Sequence, residues 1–384
     1  MDRIEPELVA LRVAPGPAFV DALDAVWARG DAAAPLAPDL PAPALARALA
    51  ALRPTAIVDE AGERRLDGGQ PVAPGTALVV ATSGSTGEPK GVELSGAALA
   101  ASARASVARL GAAAGRDRWL CCLPTSHVAG IGVLMRARLL GTAPVVHPRF
   151  DPAAVAVADA TMVSLVPTML HRLLDAGADL RRFRAILLGG AAPPPGLLAR
   201  ARAAGARVVE SYGLTETCGG CVYDGVPLDG VDVTVDEDGR IAVRGPVLLS
   251  GYRGHPRDGL LVDGWFRTND VGRLRPDGRL EVRGRADDVI VTGGHNVAAD
   301  GVAALLRTHP LVADAAVTGR PDPEWGQRVV ATVVPADPAR PPRLDELRAF
   351  VAERTAAYAA PRELAVVDAL SRSALGKVAP PAET

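Results

Sequence analysis

The densest cluster of reactive residue types is "TSGSTGEPKG" at residues 82–91, where seven of ten positions are Ser, Thr or Gly and the ninth is Lys90. Small residues let backbone N–H groups approach an anion, hydroxyls add further donors, and an ammonium supplies a compact charge, so this composition suits phosphate oxygens. The spacing is not that of a Walker A loop, which needs Gly-Lys-Ser/Thr opening directly into a helix. Here Pro89 precedes Lys90, Gly91 follows it, and "KGVELS" alternates like a strand. The stretch reads instead as a hairpin tip, suited to a phosphate that must later be let go. Lys90 and Lys377 are the only lysines in 384 residues, although Lys and Arg together number 42. A chain that uses Arg wherever charge alone suffices keeps Lys where a guanidinium fork would not do. That makes a plain Ser/Gly linker the weaker reading of the loop.

The elements that must position these residues alternate. "TALVVAT" reads as a buried strand, and Ser95 is placed to cap the helix "GAALAASARASVARLG". Strand signals at "RWLCCLP", "APVVHP", "ATMVSLVP", "FRAILLGGAAP" and "RVVESYGLTET" are interleaved with helical ones at "GIGVLMRARLLG" and "TMLHRLLDAG". This pattern predicts a layered α/β domain, with ligands at the loops that follow its strands. Before it, residues 1–75 show two amphipathic stretches, "PAFVDALDAVWARG" and "PALARALAALR". From about 226 to 284, "DGR" turns between alternating segments predict antiparallel hairpins and a small β subdomain. The polar stretch "GRADDVIVTGGHNV" reads as a boundary. The division expected is an N-terminal domain over 1–284 and a compact α+β C-terminal domain over 285–384.

Composition narrows the function classes. A net charge of -2, with 48% hydrophobic and 22% charged residues, describes a globular chain with no basic footprint for nucleic acid. No apolar run reaches the roughly 18 residues of a membrane span, and "MDRIEPELVALRV" lacks the basic start of a signal peptide. Four cysteines in so long a chain are no disulfide framework, and a reducing cytoplasm is expected.

Six stretches, in order along the chain, resemble the signature motifs of the acyl-adenylate-forming superfamily, which includes acyl-CoA synthetases, nonribosomal adenylation domains and luciferases. They are "TSGSTGEPKGVELS", "LLGGAAP", "SYGLTET", "GWFRTNDVG", "GRADDVIVTGG" and "SRSALGKV". The resemblance implies a large α/β domain with a small β subdomain and a mobile C-terminal domain. It implies ATP with Mg²⁺, a carboxylic acid and CoA as reactants, and it allows a homodimer. Thr82, Ser83, Ser85, Thr86 and Lys90 would grip the β- and γ-phosphates. Gly189, Gly190, Ala191, Tyr212 and Gly213 would frame the adenine, with the Tyr212 ring stacked on it. Asp270 would accept the ribose hydroxyls with Arg285 close behind, Thr215 would bond the α-phosphate, and Glu216 would bind Mg²⁺. Lys377 would stabilise charge at the reacting carboxylate and α-phosphate, and Asp287 would be the hinge that carries it away.

The acid is addressed by two further stretches. In "CLPTSHVAGIGVLMRARLL", His127 opens a helix that lines the acyl pocket in the family, and Arg136 on that helix would suit a second carboxylate. Gly219 and Gly220 follow the Thr-Glu-Thr turn and would leave room for a flat, wide group. Together they are most similar to the o-succinylbenzoyl-CoA synthetases of menaquinone biosynthesis, which implies 2-succinylbenzoate as the acid. Another aryl or acyl carboxylate, with CoA or a carrier protein as acceptor, is the alternative. Cys218 and Cys221 read as ordinary thiols. The chain departs from the family pattern at Asn269, where Gly is usual, at His295, where Glu is usual, and in a shortened segment before Ala77.

Overall fold

The structure is a computed structural model that describes residues 5–83, 89–194, 196–286, 289–292, 295–355 and 357–370. Its strands form four sheets among those residues. The first is seven-stranded and runs in the order Gly251–Tyr252, Pro89–Ser95, Thr76–Ser83, Ala32–Pro35, Leu8–Leu11, Ala56–Asp59 and Gly62–Arg65. The second, also seven-stranded, runs Val226–Pro227, Gly219–Tyr223, Val208–Leu214, Ala185–Leu188, Met162–Leu165, Trp119–Cys121 and Val145–Val146.

Between these two sheets lies the helix Gly96–Arg109, capped as expected: Ser95 Oγ accepts from the Ala98 N–H at 3.0 Å. Ser102 and Ser106 on this helix bond the Cys218 carbonyl at 3.2 Å and the Tyr223 hydroxyl at 2.7 Å, tying the second sheet to it. Residues from both sheets and both ends of the helix share one apolar core, including Leu78, Val80, Leu94, Leu99, Trp119 and Val222.

The first 75 residues hold more strand than the sequence suggested. Besides the helices Pro17–Ala28 and Ala42–Leu52, they supply four strands of the first sheet, three of them parallel. Ala32–Pro35 reads "AAAP" and carries no β-branched residue. It is a strand because both its edges are paired, to Leu8–Leu11 and to Thr76–Ser83, and its side chains are buried. Packing outweighs propensity there.

The hairpins expected after 226 form a four-stranded antiparallel sheet, Asp232–Val235, Arg240–Arg244, Phe266–Leu274 and Leu280–Arg285. Two short segments in that stretch go elsewhere. Val226–Pro227 pairs with Gly219–Tyr223, and Gly251–Tyr252 pairs with Pro89–Ser95 at the edge of the first sheet. The last sheet contains Val289–Thr292, His295–Ala298, Val312–Asp322, Gly326–Pro335 and Glu363–Val366, with helices Ala299–Leu306 and Leu344–Ala352. Its core, from Ile290 to Ala360, draws on no residue of the preceding sheets. The architecture is a large mixed α/β region with a small β sheet, followed by a smaller α+β region. Among the described residues no helix is long and apolar enough to cross a membrane.

Candidate active site

The Ser/Thr/Gly-rich hairpin is built from Thr76–Ser83 and Pro89–Ser95, in a register that sets Thr82 opposite Lys90. Thr82 Oγ1 bonds the Lys90 carbonyl at 3.3 Å, and Lys90 is half-buried at the base of the tip. Ser85 and Thr86 lie outside the described residues, as do Asp287 and Lys377.

From this hairpin a line of strand pairings and hydrogen bonds runs to the small β sheet. Strand Pro89–Ser95 pairs with Gly251–Tyr252, Val92 opposite Tyr252. The Tyr252 hydroxyl donates to Glu216 Oε1 at 2.9 Å, while the Glu216 carbonyl accepts from the Leu249 N–H at 2.8 Å. Glu216 stands in the single turn Thr215–Thr217, which follows directly on Val208–Leu214. Within that strand Tyr212 donates its hydroxyl to Asp270 Oδ2 at 2.8 Å. Asp270 lies opposite Arg285 in the next sheet, with Arg285 Nη1 3.9 Å from Oδ1. The strand Pro89–Ser95, the Tyr-Gly-Leu-Thr-Glu stretch and the Asn-Asp stretch are thus linked, although Lys90 and Arg285 are far apart in the chain.

The turn between strand Ala185–Leu188 and helix Leu197–Ala203 adds Gly189, Gly190 and Ala191. A Cβ on Gly189 would lie 3.0 Å from the Ser211 carbonyl oxygen, and Gly190 has φ +84°. Gly189 keeps this turn tight against the strand that bears Tyr212, while Gly190 supplies the positive φ and faces Val166. At Gly213 a Cβ would come within 2.0 Å of the Gly219 carbonyl, where the register of the two strands shifts.

The two glycines after the turn differ. Gly219, at φ +93°, has open space where a side chain would be, whereas a Cβ on Gly220 would strike Ser211 Oγ at 2.1 Å. Open room is therefore found at Gly219, and close packing at Gly220. Asn269 accepts from Arg240 Nη1 at 2.8 Å, so it holds the neighbouring strand beside Asp270.

His127 is the N-terminal cap residue of the helix Val128–Leu139, and its carbonyl accepts from the Gly130 and Ile131 N–H groups. Burial pushes its imidazole below the usual range, so the ring is neutral at pH 7. A Cβ at Gly130 would lie 2.4 Å from the Pro124 carbonyl, which explains how the helix start sits so close to the preceding loop.

Two turns along, Arg136 is buried, not an exposed helix charge. Its guanidinium lies over the Trp119 ring at 4.4 Å, and Nη2 donates to Ser164 Oγ at 3.0 Å. Nε has no hydrogen-bond partner among the described residues, and none of their carboxylates reaches ion-pair distance. Burial depresses the pKa of this cation. A buried, half-satisfied guanidinium is costly and calls for an anion.

The four cysteines are free and buried, and burial pushes each thiol up to about 12. They remain protonated, Cys218 and Cys221 included. Among the described residues no group of three or more His, Cys, Asp or Glu could hold a metal. A divalent cation at Glu216 would have that carboxylate plus oxygens supplied by a phosphate ligand, a donor set that suits Mg²⁺.

Tyr252 was not legible as a site residue. Its signal, a lone Tyr in "SGYRGH" between two hairpins, carries no chemistry until the strand pairing brings it to Glu216.

Comparison with known proteins places these features in a lineage. Residues 69–253 match the AMP-binding enzyme family and residues 302–377 match the AMP-binding enzyme C-terminal domain. A probable 2-succinylbenzoate–CoA ligase of Mycobacterium tuberculosis is 44% identical over 355 residues, covering 88% of this chain and 92% of that protein. The 2-succinylbenzoate–CoA ligase of Bacillus subtilis is 34% identical over 331 residues, 79% of this chain and 67% of that protein. The solved o-succinylbenzoate CoA synthetase of Bacillus subtilis, in complex with its acyl-adenylate intermediate, superposes with a TM-score of 0.86 at 29% identity. That match covers 97% of this chain and 87% of the other. By these similarities, the chain belongs to the AMP-binding enzyme family.

Proposed function

We propose that this protein is an AMP-forming acid–thiol ligase that converts 2-succinylbenzoate, ATP and CoA to 2-succinylbenzoyl-CoA, AMP and pyrophosphate. The observation that supports the reading is the pair of bonds Tyr252–Glu216 and Tyr212–Asp270, which ties together the residues we assign to metal, base and ribose. The relatives' names and the structure solved with ATP and a magnesium ion support the same chemistry.

In the first half-reaction the succinyl carboxylate attacks the α-phosphorus of ATP, a P–O bond forms, and the bond to pyrophosphate breaks. Thr82, Ser83, Ser85, Thr86 and Lys90 hold the departing phosphates. Glu216 holds Mg²⁺, which neutralises phosphate charge, and Thr215 and Lys377 bond the α-phosphate side. Asp270 and Arg285 take the ribose, while Gly189, Gly190, Ala191 and Tyr212 take the base.

In the second half-reaction the CoA sulfur attacks the acyl carbonyl, AMP leaves with the C–O bonding pair, and the thiol proton is lost. The proposed division at 284/285 lets a C-terminal domain pivot at Asp287 and withdraw Lys377 between the steps. Support for that division comes from the self-contained core of residues 290–360.

For the acid, Arg136 is the supporting feature. A buried guanidinium that lacks a carboxylate suits the ring carboxylate of 2-succinylbenzoate, with neutral His127 and the open space at Gly219 lining the rest. The test is direct. Purified protein given 2-succinylbenzoate, ATP, Mg²⁺ and CoA is expected to yield thioester, AMP and pyrophosphate in equal amounts. Release of ADP, or turnover with a panel of other acids but not this one, would contradict the assignment.

A further inference from the structure

The bond between Tyr212 and Asp270 does more than a stacking ring requires. Stacking on a base needs only a flat π face, and Phe would supply it. Here the hydroxyl reaches from the second sheet to the third and donates to Oδ2 of a carboxylate that is 7% exposed. Both ends of the ring are held. Its backbone sits at a register shift where Gly213 leaves no slack against Gly219, and its tip is tied to Asp270. Asp270 is held at its backbone as well, since its N–H donates to Thr268 Oγ1 at 3.0 Å. With that peptide fixed, the Tyr212 hydroxyl holds Oδ2, while Arg285 stands 3.9 Å from Oδ1. Burial and the neighbouring carboxylate push the Tyr212 hydroxyl well above the usual phenol range, so it stays a donor at any working pH. A carboxylate has about four lone-pair sites, so a bond from Tyr212 is compatible with acceptance from sugar hydroxyls.

We propose that Tyr212 is a positioning residue for the ribose: its hydroxyl holds Asp270 in the orientation that accepts the 2′- and 3′-hydroxyls, making one side chain both base platform and sugar-selectivity device. This rests on Asp270 being the ribose acceptor. The same bond joins the base site to the sugar site, so the spacing between stacked adenine and bound ribose is built in before nucleotide arrives.

The experiment is nucleotide binding to the full-length protein by titration calorimetry, with ATP and 2′,3′-dideoxyATP as probes, for the parent, Tyr212→Phe and Asp270→Asn. Tyr212→Phe keeps the ring and is expected to weaken ATP binding about five- to tenfold while leaving dideoxyATP binding unchanged, so the preference for the ribose narrows. Equal weakening of both nucleotides, as a general loosening of the cleft would give, overturns the proposal, and so does no change in either. Asp270→Asn separates the two levels. If it collapses the ATP preference and Tyr212→Phe does not, the positioning role fails alone. If it leaves the preference intact, the ribose assignment fails and the proposal with it.

Discussion

Two arginines, Arg184 and Arg136, lie against the second sheet in opposite circumstances. Arg184 donates to both oxygens of Asp117, at 2.7 and 3.0 Å, and to the Leu110 carbonyl at 3.0 Å. The Asp117 side chain is fully buried and also takes Arg116 and the Ala113 N–H. Burial pulls its pKa up, yet these bonds outweigh burial and hold the carboxyl down at about 2. That cluster is complete and has no capacity to spare. Arg136 is more deeply buried than Arg184, yet it has one hydroxyl, one indole face and an idle Nε. A completed buried ion pair is architecture; an incomplete one has a place for a ligand.

The comparison can be broken by exchanging the roles. Asp117→Asn strands Arg184 and should cost about 3 kcal/mol of stability, seen as a lower denaturation midpoint, while the folded fraction keeps its turnover. Arg136→Met removes a buried charge that the fold does not pair. It should raise stability by about 1 kcal/mol, and a large loss of stability would show that Arg136 is a structural cation after all. Tyr252→Phe, which frees Glu216 Oε1 without touching the strand pairing, should raise the KM for Mg·ATP about fivefold and leave the melting temperature within the error of the parent.

The smallest effects concern pH. Asp117 titrates near 3.8 when unfolded and about 2 when folded, so the unfolded chain binds more protons between those values. Its contribution is full above about pH 4 and is lost as pH falls toward 2, a decline that Asp117→Asn should flatten in acid-unfolding curves. His127 is depressed from 6.5 by burial. The unfolded state therefore takes up the proton first as pH drops below 6.5, and stability should slope gently downward there.

Much of the candidate site was legible because its residues sit in short, composition-marked loops. "TSGSTGEPKG" announces an anion site without any tertiary knowledge, and "SYGLTET" sets Tyr212 and Glu216 on one strand and the turn after it. Ser95 as a helix cap follows from local chemistry and is found as such. What sequence could not supply is long-range pairing. The strand Ala32–Pro35 is all Ala and Pro, and only its two neighbours make it a strand. Tyr252 becomes a partner of Glu216 through an edge pairing across some 160 residues, and no local pattern encodes that. Arg136 was legible as a cation on the helix after His127, but its burial over Trp119 depends on how helix and sheet pack.

The central claim is that Arg136 waits for a second carboxylate on the acid. It is tested most directly by the ratio of kcat/KM for 2-succinylbenzoate to that for benzoylpropionate, the same acid without its ring carboxylate, in the parent and in Arg136→Met. The parent ratio should be about a hundredfold, and Arg136→Met should bring it close to one by lowering only the diacid. A ratio that survives the substitution would contradict the account.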